Sequence, residues 1–362
     1  MIAHHGTLRR RLRKPAFVLC WMLLMGAMSC SHPSKKNELI MIAGKTMGTG
    51  YTIKINDHSG MDKGRVSMLT KGIEAVLEKT NLQMSIYQEN SEITDFNRTR
   101  HTDWFSVSPE TARVIEQSLL ISEKSLGALD ITAGPLVKLW GFGPGTGEKS
   151  TTLPGEEAIR RARLHQGYKK MAVRLSPPAV RKDDPEIYCD LGAIAKGHGV
   201  DEIARYLAAM GLSDFLVEIG GEVKASGKNN RNSDWQIGIE SPDSNLAIHK
   251  VVSLRDTAMA TSGDYRNYFL QNGIRYSHII DPRTGKPVTH ELSSVTVIHD
   301  ACSYADAWAT ALYVLGPEEG YEAALKEELA VFFIIREKEG SIEKMTPPFK
   351  KYLSSNHTGL QE

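Results

Sequence analysis

Acidic side chains are missing from the first 29 residues of this 362-residue chain, cysteine is scarce throughout, and no long apolar run occurs anywhere. The apolar stretch Ala16 to Met28 covers thirteen residues. As a helix it would rise only about 20 Å, short of a bilayer core of roughly 30 Å, which argues against a simple transmembrane span and leaves a short anchor helix as the plain alternative. Of four cysteines, Cys20 and Cys30 belong to the N-terminal region, and Cys189 and Cys302 stand far apart. That excludes a disulfide scaffold and a cysteine zinc site. Removing the five basic residues of positions 1–29 from the total of 44 leaves 39 against 43 acidic ones. A net charge of about −4 points away from nucleic acid as a partner. No Ser/Pro-rich linker, repeat or low-complexity tract follows Leu39, so the remainder reads as one compact unit, single or two-lobed.

What the N-terminus does contain is a basic cluster (Arg9, Arg10, Arg11, Arg13, Lys14), the short apolar stretch, and small residues before Cys30. This is the layout of a secretory signal. Ala27-Met28-Ser29-Cys30 resembles a bacterial lipobox, with Ala27 where leucine is usual. The expected organisation is a signal peptide over 1–29, a lipidated tether over 30–38 beginning at Cys30, and one domain over 39–362. A multiply acylated cysteine gives stable anchoring, so the mature chain is expected in the bacterial cell envelope, extracytoplasmic and tied to a membrane. The periplasmic face of the inner membrane is the first expectation and the outer membrane the second.

Helical periodicity and fold-punctuating residues alternate along the domain. Val66, Leu69, Ile73, Val76 and Leu77 predict a helix to about Leu82. Ser108-Pro109-Glu110 supplies a cap, a first-turn proline and an early acid for a second helix stopping at Gly127. Further helices are expected near Pro154 to Gly167, over Ala193 to Met210, and from Ser303 to Leu315, closed by Gly316-Pro317. Strands are expected at 171–175, 215–219, 235–240, 251–254 and 294–299, with a hairpin about Asn272-Gly273. Hairpins beside long helices point to an α+β fold with antiparallel sheet.

Four stretches could carry chemistry. "CDLGAIAKGHGVD" (189–201) is no Walker loop, since Lys196 precedes Gly197. Its glycines would let backbone approach an anionic ligand; the alternative is a plain strand-to-helix turn. "GFGPGTG" (141–147) reads as a turn, because a dinucleotide fingerprint needs a strand and a helix on its two sides. Asp306 and Thr310, four residues apart, share a helical face and suit a hard cation. Against that, Ser303-x-x-Asp306 resembles a capping box that would occupy the carboxylate. In "YSHIIDPRTGKPV" (276–288), His278 is either a structural strand histidine or a general base.

Taken in order, "GKTMGT" (44–49), "MSIYQENSEITDFN" (84–97), "GALDITAGPLVKLWGFG" (127–143), "DLGAIAKGHGVD" (190–201), "IGGE" (219–222), "YSHIIDPRTGKPV" (276–288) and "ADAWATALYVLG" (305–316) resemble the ApbE family of FAD:protein FMN transferases. The resemblance implies a two-lobed, T-fold-like α+β fold with antiparallel sheet and packed helices, holding FAD as substrate in a cleft. It implies contacts to FAD from Met47, Tyr87, Ala128, Leu129, Asp130, Asp190, Lys196 and Ile280. It implies Mg²⁺ held by the Ala193 carbonyl, Asp306 and Thr310, although the family often has glycine at the position of Ala193. His278 is then the candidate base, with Asp281 the runner-up. The implied reaction moves FMN from FAD to a Ser or Thr hydroxyl of another protein through a phosphoester, releasing AMP. Implied acceptors are subunits of Nqr or Rnf electron-transport complexes. The competing expectations are an FAD pyrophosphatase, with water as acceptor, and a lipid-anchored flavin-binding protein without turnover.

Overall fold

Eight strands form the main sheet, each antiparallel to its neighbours and placed across the sheet in chain order. They are β1 (Glu38–Thr46), β2 (Thr49–Asp57), β3 (Phe215–Ile219), β4 (Glu222–Ser226), β5 (Thr257–Gly263), β6 (Leu292–His299), β7 (Ala330–Arg336) and β8 (Ser341–Met345). The computed structural model describes residues 38–143, 153–242, 247–263, 268–271 and 274–354. The signal-like N-terminus, Cys30 and its tether, residues 144–147 of the glycine loop, and Asn272-Gly273 lie outside the described residues. From Asn37 onward the chain is one unit.

Seven α-helices are described: α1 (Lys63–Met84), α2 (Glu92–Arg98), α3 (Pro109–Lys124), α4 (Gly134–Leu139), α5 (Glu156–Leu164), α6 (Ala195–Ala209) and α7 (Cys302–Lys326). Among these described residues no helix is long and apolar enough to cross a membrane. The period-two alternation of the strands explains how both sheet faces are covered. Phe215, Val217 and Ile219 face Leu69, Ile73 and Leu77 of α1 and Val200, Ile203 and Leu207 of α6. Val295, Val297, Val331 and Phe333 turn to the same side under α7, against Trp308 and Leu312. Their neighbours Leu216, Val223, Ile298, Phe332 and Ile334 point the other way. That second face is covered by the antiparallel pair Trp235–Glu240 and Ile248–Leu254, through Trp235, Ile239, Val252 and Leu254.

A smaller layer holds a three-stranded sheet made of Phe105–Ser106, Met171–Leu175 and Pro178–Lys182. Beside it, α4 and α5 enclose Leu136, Trp140 and Ile159 with Ile280. The expected α+β class with antiparallel sheet is what the chain adopts. Several limits shift by up to three residues, as in Ile248–Leu254 for the expected 251–254, and one differs in kind. Gly316-Pro317 does not end α7 but breaks it, Gly316 lying at φ 84° and helix resuming to Lys326. Proline is well tolerated in the first turn of a helix, so the same dipeptide closes one helical stretch and opens another.

Candidate active site

A cavity of about 950 Å³ opens between the ends of β4 and β5, the start of α6, the middle of α7 and the smaller layer. Its size lies at the top of the roughly 300–1,000 Å³ range of small-molecule sites, which suits a ligand as large as a dinucleotide. The wall brings together Tyr87, Ala128, Leu129, Asp130, Asp190, Ala193, Lys196, His278, Ile280, Asp306 and Thr310. Residues as far apart in sequence as Tyr87 and Thr310 thus meet at one surface.

The charged corner is built by the first turns of α6 and α7. A Cβ on Gly197 would lie 2.4 Å from the Cys302 carbonyl oxygen, so only glycine allows the two helices to come this close. A Cβ on Gly199 would lie 2.9 Å from the Met47 methyl group. These two glycines therefore serve packing between elements. Gly192 alone of the three lies in the cavity wall.

Asp201, two turns into the same stretch, accepts hydrogen bonds from the Cys302 and Ser303 amides at 3.1 and 3.0 Å and pairs with Lys224 at 2.9 Å. It caps α7 from a neighbouring helix, satisfying amides that helix starts leave open. Ala301, the residue at the cap position itself, has no side chain able to do so. Ser303 instead donates to Gln117, and the suspected local capping box does not form.

Asp306 is thereby released for the cavity. Its Oδ2 accepts the Gly197 amide at 2.9 Å, and its Oδ1 lies 3.4 Å from the Lys196 ammonium. Glu222 holds that ammonium from the other side at 3.0 Å. Burial raises both carboxyls above the ordinary range while Lys196 pulls them back down. Burial also works against the Lys196 charge, but Asp306 and Glu222 together hold it above the usual lysine value. Two buried carboxylates thus share one cation, and Glu222 Oε2 is buried without a hydrogen-bond partner.

The neutral oxygens beside this corner fit a hard cation. Because the Gly197 amide turns to Asp306, it does not close a helical turn on the Ala193 carbonyl. Thr310 lies one turn beyond Asp306, its hydroxyl 3.3 Å from that of Ser262. Among the described residues, no three His, Cys, Asp or Glu side chains converge to hold a metal. A cation here would therefore rest on one or two carboxylates with hydroxyl, carbonyl and ligand oxygens, the donor set Mg²⁺ prefers. The wall carries Asp130, Asp190, Glu218, Glu222, Glu240 and Asp306 against Lys196 as its lysine. So acidic a wall admits a pyrophosphate only with added positive charge.

The opposite wall is differently arranged. Asp130 accepts from the Thr132 amide and hydroxyl at 2.8 and 2.6 Å and from the Tyr168 amide at 3.1 Å. Asp190 accepts the Gly192 amide at 2.8 Å, and burial raises its carboxyl. Ile280 is buried, and His278 meets the Phe142 ring edge-on with centroids 6.1 Å apart. Tyr87 is 71% exposed, an aromatic face left open at the rim. Two expected participants lie elsewhere. Met47 is not part of the wall; it packs on Gly199 beside Ile219. Asp281 is buried and held by Arg283, with its Nε at 3.0 Å and Nη2 at 3.1 Å, outside the wall.

Glu222 and Ser262 in this corner, and Asp201 behind it, have roles that the sequence did not announce. Glu222 closes the "IGGE" stretch and Asp201 the lysine-containing one, so their motifs were visible and their partners were not.

The model of the ApbE family matches residues 47–333. An FAD:protein FMN transferase of Vibrio cholerae is 38% identical over 339 residues, covering 92% of this chain and 99% of that protein. The FAD:protein FMN transferase of Escherichia coli K12 is 36% identical over 345 residues, covering 94% and 97%. Among solved structures, the flavin transferase ApbE of Vibrio cholerae superimposes with a TM-score of 0.80 at 39% identity, covering 87% of this chain and 99% of that one. The apo flavinyl transferase ApbE of Pseudomonas stutzeri gives 0.79 at 35% identity, covering 87% and 97%.

Proposed function

This chain belongs to the ApbE family, and from that premise we propose that it transfers FMN from FAD to a Ser or Thr hydroxyl of another protein, Mg²⁺-dependently, forming a phosphoester and releasing AMP. The observation that carries this reading is the Lys196 ammonium fixed between Asp306 and Glu222 in an otherwise acidic wall. Together with the cation that Asp306 and Thr310 would hold, this ammonium supplies the positive charge a pyrophosphate needs in so acidic a wall.

In the proposed reaction the acceptor oxygen attacks the phosphorus of the FMN half. A new P–O bond forms there, the bridging P–O bond of the pyrophosphate breaks, and AMP departs with the electron pair. His278 in the wall takes the acceptor's proton at a ring nitrogen. Lys196, held by Glu222, faces the pyrophosphate and offsets its charge. Ala193, Asp306 and Thr310 are the residues that would hold Mg²⁺, which when bound neutralises charge on the departing phosphate. Tyr87 offers its exposed ring to a flat ring system of FAD. Ala128, Leu129, Asp130, Asp190 and Ile280 complete the FAD wall, and Met47 acts at one remove by packing on α6. The basic, apolar, cysteine-ended N-terminus supports an extracytoplasmic, lipid-anchored location, where Nqr- or Rnf-type membrane subunits are the acceptors.

Incubating the protein with FAD, Mg²⁺ and such an acceptor tests the reading. Flavin fluorescence should stay with the acceptor after denaturing electrophoresis. Free FMN without labelling would make the protein a pyrophosphatase instead, and unchanged FAD would refute turnover altogether.

A further inference from the structure

The hairpin over the second face of the main sheet has two edges, and they are treated differently. Along Ile248–Leu254 the C-terminal segment covers part of the edge: Leu353 bridges Val252, and the Ser354 hydroxyl lies 2.8 Å from that of Ser253. Along Trp235–Glu240, no third strand pairs among the described residues. Proteins commonly cover or blunt such edges, because a row of open amides and carbonyls templates another strand.

The open edge is also the one at the cavity. Ile237, Gly238, Ile239 and Glu240 all belong to the wall. Side chains alternate between the two faces of a strand, so four consecutive residues bordering one space, with none of the paired strand Ile248–Leu254 beside them, fit a strand that turns its edge to the cavity. The hairpin is meanwhile anchored from behind by Trp235 and Ile239, both buried against the sheet. Gly238 is exposed and bears no side chain that would hold an incoming backbone away.

We propose that the acceptor protein enters as an added β-strand along the open edge of Gln236–Ile239, its target hydroxyl turned into the cavity. This rests on the transferase reading above, since the occupant must be a polypeptide. Recognition by strand addition takes its affinity from main-chain hydrogen bonds and leaves sequence selection to alternate side chains. Acceptors of different sequence would share only an extended segment around the modified Ser or Thr.

Two measurements use the FAD-loaded protein and an acceptor it labels. In the first, an acceptor whose target hydroxyl residue is changed to alanine is added and amide hydrogen exchange is followed. Slowed exchange over 236–240 is expected, and unchanged exchange there, with binding shown separately, would overturn the proposal. In the second, a synthetic peptide spanning the labelled residue is N-methylated one position at a time. Methyls at alternate positions should slow labelling by about fivefold to tenfold, the scale of one lost hydrogen bond, while those between have little effect. A scan without this period of two would also overturn it. Failure of the wild-type protein to label any acceptor would instead sink the transferase reading itself, a result visible before either measurement begins.

Discussion

At the corner between α6 and α7, Asp306 and Glu222 share one ammonium, and an oxygen of Glu222 is buried without a partner. On the facing side, Asp130 and Asp281 are saturated by near neighbours, Asp130 by three donors and Asp281 by the Arg283 amide and guanidinium. All four are acids in or beside one cavity, and composition cannot tell them apart. The difference is in what the surroundings leave unspent. A satisfied carboxylate fixes a turn, whereas an under-partnered buried one costs stability and persists where a ligand completes it.

Substitution on the two sides should separate these roles, beginning with the largest effect. Asp306→Ala is expected to abolish acceptor labelling, because it removes an anionic oxygen pair from the proposed cation site. Glu222 still holds Lys196 in that variant, so the fold should survive. Stabilisation by Mg²⁺, read as a rise in Tm with FAD present, should disappear with it. Full labelling at ordinary Mg²⁺ would remove Asp306 from the site. His278→Ala should slow labelling by roughly 10²–10⁴-fold, the usual worth of a general base, with FAD binding by fluorescence retained. Wild-type rates would return His278 to the status of a cavity-lining ring.

The contrast also marks what can be read from sequence. Helices announced themselves through caps and periodicity: Ser108-Pro109 opens α3 as expected, and the strands at 171–175, 215–219 and 235–240 carry the predicted limits. β5 was missed because "TAMATSG" is built of small residues that give no alternation, though its end forms part of the cavity. β1 was missed because a sheet edge keeps apolar side chains such as Met41 exposed, which blurs the pattern. Asp306 and Thr310 were legible because helical spacing alone aligns them. Glu222 was not, because a glutamate at the start of a short strand looks like surface charge until the sheet order buries it. The fate of Asp281 was equally hidden, since nothing in "DPRTG" says that the arginine folds back on the aspartate.

A third substitution probes the support behind the corner. Asp201→Ala removes the cap from α7 and one partner of Lys224. The cost should be about 0.5–2 kcal/mol of stability, seen as a Tm lowered by a few degrees. If Asp201 also positions Asp306, the Mg²⁺ concentration for half-maximal labelling should rise. A fall in Tm with unchanged Mg²⁺ dependence would restrict Asp201 to the fold.

The smallest effect is expected on the saturated side, and it is the most discriminating. In Asp281→Asn the amide oxygen can still accept from the Arg283 backbone, so the turn keeps its shape. Arg283 loses an ion pair but keeps Glu319 at 3.2 Å, and its side chain is one-third exposed, so solvent screens the loss. About 1 kcal/mol or less of stability should go, and labelling should stay within about threefold of wild type. Were Asp281 the base, the same change would cost as much as His278→Ala, because an amide cannot take the acceptor's proton. The ratio of these two rates therefore decides which of the neighbours in "SHIIDP" acts on the substrate and which one holds the turn.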